Sequence, residues 1–417
     1  MALFTKRVQH KRRGEFYIVL DLGTENIKCL VVQNSDHQSH ILGKGQVPHR
    51  LGTMRGGMVI NIPEAGADVK QAIAMATTQA GVTPKKLVMS LSGDLVKSLV
   101  TTVHYHRTRP ESHINANELK NVVYKAQWKA FEQIRSMIGK DQEESSPGVK
   151  LINTTIVDTR IDGYKVANPI NFQGGVVTLS IFNAFAPLVH LGANQAIADE
   201  LGMDLLSVVA APYALAKSLL VDNPEFSAVF VDVGAYLTDV AVVNEGGIMG
   251  MQNFALGGQA FTRSLAAKLK VPPEQAEQIK LDYSQGLLDK RSEKKISGLL
   301  KEPAKLWAQG LAESLDEFSH LDVLPNKIFI AGGGAALPEI KSVLLSKSWA
   351  AQLPFIKKPY PVVIEPTDIA HMVEENQVTI DVGDTVALGL AHLTLNLANQ
   401  DDTMGDILRR IVLNMQA

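Results

Sequence analysis

Residues 16–33, FYIVLDLGTENIKCLVVQ, are echoed by residues 228–245, AVFVDVGAYLTDVAVVNE. Each copy is an apolar, β-rich run ending in Asp-x-Gly, then a short turn and a second apolar run, the pattern of a hairpin whose tip carries an acid and a glycine. Asp21 answers Asp232 and Gly23 answers Gly234, so half of the 417-residue chain separates the copies. Self-similarity at that spacing points to two pseudo-symmetric lobes. One Asp-x-Gly at a strand end is an ordinary turn, and two unrelated turns with solvent-facing acids are the plain alternative. Two such tips in equivalent halves face each other across a cleft. There glycine lets backbone N–H groups approach phosphate oxygens, and Asp21 and Asp232 lie near a magnesium ion, which commonly keeps several of its waters.

Two further segments fit a nucleotide cleft. Residues 327–334, KIFIAGGG, read as a buried strand running into Gly332, Gly333 and Gly334, and residues 337–346 read as a helix. A strand, glycine turn and helix can set backbone N–H groups beside a phosphate, or let adenine lie flat on the chain. Residues 256–260, LGGQA, carry the pair Gly257 and Gly258, and a helix-like stretch opens at Phe261. Residues 272–280, PPEQAEQIK, begin a helix with prolines, and Glu277 and Lys280 share a face of it. They either reach ribose hydroxyls or form a solvent-exposed ion pair. Neither a GxxxxGK[ST] loop nor a dinucleotide GxGxxG in strand–helix context occurs.

The composition is that of a globular protein: 46% hydrophobic, 20% charged, net charge −2. It gives no electrostatic case for nucleic acid as a partner. A single cysteine, Cys29, inside an apolar run reads as a buried thiol. No stretch approaches the roughly 20 apolar residues that span a bilayer, and the basic start (Lys6, Arg7, Lys11, Arg12, Arg13) lacks the apolar core of a signal peptide, so a cytoplasmic protein is expected. His104 and His106 alternate on one strand face with His113 nearby, but no cysteine or tight carboxylate set accompanies them as a metal site would require.

With LDLGT at 20–24, DVGAYLTD at 232–239, the Gly257–Gly258 pair, AEQIK at 276–280 and IAGGG at 330–334 in this order, the chain resembles the actin-like ATPase superfamily and, within it, the FtsA family of cell-division proteins. Residues 43–60 also follow that family closely. The resemblance covers about residues 16–398. It implies an α/β fold of actin/Hsp70-like, duplicated ribonuclease-H-like lobes with an inserted 1C-type, SHS2-like α+β domain. The implied division is a basic tail at 1–15, lobe 1 at 16–85 plus 186–222, the insertion at 86–185, lobe 2 at 223–270 plus 325–398, a helical subdomain at 271–324, and a linker with C-terminal helix at 399–417.

The resemblance further implies ATP and magnesium as ligands. Gly23, Thr24, Gly234 and Thr238 would sit at the phosphates and Gly257 and Gly258 near the nucleotide. Gly332, Gly333 and Gly334 would hold adenosine, Glu277 and Lys280 would contact ribose, and Asp21 and Asp232 would hold magnesium through water. It departs from the family at the second turn, where Ala235, Tyr236 and Leu237 replace Gly, Gly and Thr of DIGGGTTD, and at Glu25, which adds negative charge beside the expected phosphates. At most weak ATP hydrolysis is expected. The DxGA form of the second turn is also similar to that of PilM, a type IV pilus assembly relative.

Residues 404–415 place Met404, Ile407, Leu408, Ile411, Val412 and Met415 on one face and Arg409 and Arg410 on another, an amphipathic helix that either lies on a membrane or packs on its own domain. Residues 136–150, SMIGKDQEESSPGVK, read as an exposed loop. The resemblance implies self-association into filaments, an FtsZ-like ring protein as partner, and peripheral contact with the inner membrane at the division site. A PilM-like scaffold and a small-molecule kinase of the same fold are the alternatives.

Overall fold

The structure is a computed structural model that describes residues 14–398 apart from 51, 142–147, 221, 222, 224, 320, 347 and 376. The two echoed stretches fold as the expected hairpins. Strand Glu15–Leu22 pairs antiparallel with Asn26–Ser35, and Ala228–Val233 pairs antiparallel with Thr238–Asn244. Each hairpin continues into a third antiparallel strand, Gln38–Pro48 in one lobe and Gly247–Phe254 in the other. On its other side each first strand takes a parallel neighbour, Lys86–Leu91 and Lys327–Ala331 respectively. The duplication is therefore one of topology as well as of motif. Asp204–Ala210 and Met372–Glu374 complete a six-stranded sheet, and Tyr360–Val363 completes a five-stranded one.

Burial follows the apolar runs. Ile18, Val19 and Leu20 on one first strand, and Val229, Phe230 and Val231 on the other, are essentially inaccessible, as strands covered on both faces must be. Cys29 is fully buried, and burial pushes its thiol pKa far up. Helix Ile62–Ala80 lies against strand Gln38–Pro48 so closely that a Cβ at Gly45 would stand 2.0 Å from the Ala72 carbonyl oxygen. Helix Lys290–Asp316 turns Ile296, Leu300, Ala304, Trp307, Leu311 and Leu315 into the core under the five-stranded sheet. That period of three and four is the stripe of a half-buried helix.

Strand Lys97–His106, helix Ala116–Asp141, and strands Val149–Ile161, Tyr164–Lys165 and Val176–Pro187 form a separate four-stranded sheet with one covering helix. Three expectations are corrected. Strand Met372–Glu374 pairs with Gln38–Pro48 and helix Thr385–Ala398 packs on the first lobe, so residues 372–398 belong to lobe 1 rather than lobe 2. Residues 86–91 belong to the first lobe's sheet, between Glu15–Leu22 and Asp204–Ala210, so the inserted sheet opens at Lys97 rather than at 86. Residues 136–141 are helical, the end of Ala116–Asp141, rather than loop. His104 and His113 are occupied by hydrogen bonds to the Thr178 hydroxyl (3.0 Å) and the Asn171 carbonyl (2.7 Å). Ile407, Leu408, Ile411, Val412 and Met415 lie outside the described residues.

Candidate nucleotide and metal site

The first hairpin tip is braced from behind. The Ser90 hydroxyl accepts from the Leu22 N–H (2.8 Å) and donates to Asp21 Oδ1 (2.9 Å), and the His49 ring bonds the Gly23 carbonyl (3.1 Å). Hairpin register sets Lys28 opposite Asp21, and the Lys28 ammonium donates to the Gly383 carbonyl. The second tip closes on itself, Gly234 N–H to Leu237 carbonyl at 2.9 Å. It is then met by the start of helix Gly258–Leu269: the Gly258 and Gln259 N–H groups donate to the Gly234 and Ala235 carbonyls at 2.9 and 2.8 Å. A Cβ at Gly257 would lie 2.5 Å from the Gly234 oxygen, so glycine is needed for this approach.

The two tips and the glycine loop open onto one cleft of about 520 Å³, within the roughly 300–1,000 Å³ of small-molecule sites. Asp21, Gly23, Thr24, Asp232, Gly234, Gly258, Glu277, Lys280, Gly332, Gly333 and Gly334 all line it. Three glycines in a row do three different things. Gly332 has φ +80°, and a Cβ there would stand 2.2 Å from Asp232 Oδ1; Gly334 is packed under Val233; Gly333 has nothing within 4 Å of a would-be Cβ. Glu277 and Lys280 form an ion pair at 2.8 Å, and Lys280 also donates to the Gly258 carbonyl (3.1 Å) and the Thr262 hydroxyl (2.9 Å).

Two expected site residues are not in the cleft. Thr238 is fully buried: its hydroxyl donates to the Leu256 carbonyl at 2.6 Å and accepts from Trp307 Nε1 at 2.9 Å, which ties the second turn to the long helix. Gly257 sits behind the second turn. Conversely Lys28, Ser90, Asp239 and Asp381 line the cleft without having been singled out. Signals for them existed: Lys28 is the sole charge in strand Asn26–Ser35, and Asp381–Gly383 is a third Asp-x-Gly.

The cleft is acidic. Burial pushes the Asp232 carboxyl up to about 6, with the Asp21 charge adding and Lys28 opposing. Asp239 is held well above the usual carboxylate range by burial and by Asp232 and Asp94 beside it. Burial also raises Asp21, against the pull of Lys28 and the Ser90 hydroxyl. Asp239 Oδ1 is a buried acceptor without a hydrogen-bond partner. Crowded, desolvated carboxyls of this kind fit a cation that neutralises them. Among the described residues no three His, Cys, Asp or Glu side chains are placed to hold a metal directly.

A pH experiment tests this electrostatic picture. A carboxyl with a raised folded-state pKa binds its proton more tightly folded than unfolded, so its contribution to metal-free stability falls as pH rises from about 4 to about 6. Asp232→Asn removes that loss. In urea unfolding without metal, the variant is expected to match wild type near pH 4 and to exceed it by about 3 kcal/mol at pH 7. A difference independent of pH would contradict the burial of this charge.

The chain is similar in sequence and fold to known proteins. The family described as Cell division protein FtsA matches residues 229–367, from the second hairpin through the glycine loop. FtsA of Streptococcus pneumoniae serotype 2 is 24% identical over 346 residues, covering 78% of this chain and 72% of the relative. Among solved structures, the PilM-PilN type IV pilus biogenesis complex aligns with TM-score 0.64 at 17% identity, over 91% of this chain and 98% of the other. MreB5 of Spiroplasma citri bound to ADP aligns with TM-score 0.50 at 12% identity, over 92% and 99%. The fold is that of the actin-like ATPases, and the resemblance to FtsA carried by the ordered motifs is borne out.

Proposed function

We propose that this chain, an actin-like fold similar to the cell-division protein FtsA, binds ATP with magnesium between its lobes, self-assembles, and links an FtsZ-like ring to the cytoplasmic face of the inner membrane at the division site. The reading is carried by one observation, that both acid-bearing hairpin tips and the Gly332–Gly334 turn share a single cleft. In it, backbone N–H groups at Gly23 and Thr24 bind phosphate, and Gly234, whose own N–H closes the second turn, lets the phosphate lie close to the chain. Glu277 and Lys280 contact ribose, and the open face at Gly333 lies against adenosine. Asp21 and Asp232 hold magnesium through its waters, and the ion offsets the charge that these acids and the phosphates share. Lys28, opposite Asp21, adds a fixed positive charge. Tyr236 is half-exposed and does not line the cleft; Ala235 and Leu237, which do, stand where the family has Gly and Thr and support slow turnover at most.

No described helix is long and apolar enough to cross a membrane, and membrane contact is assigned to residues 404–415. One such helix binds weakly, and an assembled array engages many at once. In co-sedimentation with anionic vesicles, the full chain with ATP is expected to pellet, and removal of residues 404–417 to cut the bound fraction at least fivefold, by about 1 kcal/mol or more of lost binding. Unchanged pelleting would remove the membrane assignment. The DVGA form of the second turn favours a second reading, a nucleotide-binding scaffold like PilM, for which deletion of the tail makes no difference. A small-molecule kinase would instead show ATP consumption that rises with an added acceptor.

A further inference from the structure

Glu25 lies in the first turn, where a second acid beside Asp21 is electrostatically out of place for a phosphate site. Its side chain reaches across the cleft: Gln259 Nε2 donates to Glu25 Oε1 at 3.1 Å, from a residue 234 positions away. Backbone hydrogen bonds anchor both ends of this bridge. The Glu25 carbonyl accepts from the His49 N–H at 2.8 Å, and the Gln259 N–H donates to the Ala235 carbonyl at 2.8 Å, within the second turn. The contact therefore joins the tip of one hairpin to the helix start that meets the tip of the other, at partly buried positions on both sides.

The surroundings are already anionic. Six acids line the cleft, Asp21, Glu25, Asp232, Asp239, Glu277 and Asp381, against Lys28 and Lys280, and Lys280 is paired with Glu277 at 2.8 Å.

We propose that Glu25 is a specificity-determining residue of this cleft, a fixed anion positioned by Gln259 that weighs against a nucleoside triphosphate more heavily than against the diphosphate. The proposal rests on the nucleotide-binding reading above and names which nucleotide charge the site selects against. Repulsion grows with the ligand's charge, and a partly buried carboxylate is screened less than one in open solvent. The triphosphate carries the larger charge. A ligand anion set between those tips also competes with Glu25 for the Gln259 amide.

The test titrates ATP and ADP, each with magnesium, into the full-length wild type, Glu25→Gln and Gln259→Ala by calorimetry, with thermal melts to establish that each is folded. Glu25→Gln keeps the shape and removes the charge, and it is expected to tighten ATP about tenfold more than ADP. Gln259→Ala, which releases the carboxylate without removing it, is expected to move the ATP-to-ADP ratio the same way by a smaller factor. An equal change for both nucleotides in folded Glu25→Gln, or none, overturns the proposal and leaves the site reading standing. A Gln259→Ala ratio equal to wild type overturns the positioning role. If wild type and Glu25→Gln alike bind neither nucleotide, the nucleotide reading fails and the proposal with it.

Discussion

Gly333→Val is expected to weaken magnesium–ATP binding by at least about 100-fold, about 3 kcal/mol, while leaving the folded protein's melting temperature within a few degrees of wild type. A Cβ at Gly332 or Gly334 would stand 2.2 Å from Asp232 Oδ1 or 2.3 Å from a Val233 methyl, so a side chain at either position disturbs the lobe itself. Gly333 has an ordinary negative φ and open space beside it, and that space is the cleft. The valine side chain is therefore accommodated by the protein and excludes the ligand. Micromolar affinity, about −8 kcal/mol, is expected for wild type. Calorimetry on the two proteins checks the difference, and equal affinities would show that the ligand does not touch this turn.

Trp307→Ala is expected to have the largest effect on stability, about 3–5 kcal/mol in urea unfolding, because it empties the largest fully buried side chain under the second lobe. The loss is not only of volume. Trp307 Nε1 donates to the Thr238 hydroxyl, which donates to the Leu256 carbonyl just before the Gly257–Gly258 approach to the second turn. Its ring also lies 6.1 Å from that of Phe254. Removing the indole leaves a buried hydroxyl short of a donor and loosens the segment that closes the second tip, an added cost of the kind an orphaned polar group carries. Trp307→Phe, which keeps most of the volume and loses the N–H, is expected to cost much less. Equal losses in the two variants would mean that the hydrogen bond, rather than packing, dominates.

Both hairpins and the glycine loop were legible in the sequence because each is a local pattern, a continuous apolar run ending at glycine, with an acid just before it in the two hairpins. Repetition at half the chain length then made the lobes legible as well. Long-range choices were not. Residues 87–93, LVMSLSG, are apolar enough for either sheet, and only parallel pairing to residues 18–20 and 204–210 puts residues 86–91 in the first lobe. Thr238 stands in the second hairpin just after its turn, as a phosphate-binding threonine would. Its role is decided by Trp307, 69 residues away on a helix whose docking no local pattern reveals. Lys28 was legible in principle: once the hairpin is drawn, register alone sets it opposite Asp21. The Glu277–Lys280 pair was read correctly as sharing a helix face, but the lysine's additional bonds to Gly258 and Thr262 come from packing between helices Gly258–Leu269 and Pro273–Ser284.

The central claim is that one nucleotide is held by both halves of the duplicated chain at once. Hydrogen exchange of the wild-type protein, with and without magnesium–ATP, tests it most directly, since backbone N–H groups that bind phosphate exchange more slowly. Slowed exchange is expected together at residues 22–26, 233–239 and 332–335. Protection confined to one hairpin, or appearing only at segments remote from both, would contradict the account.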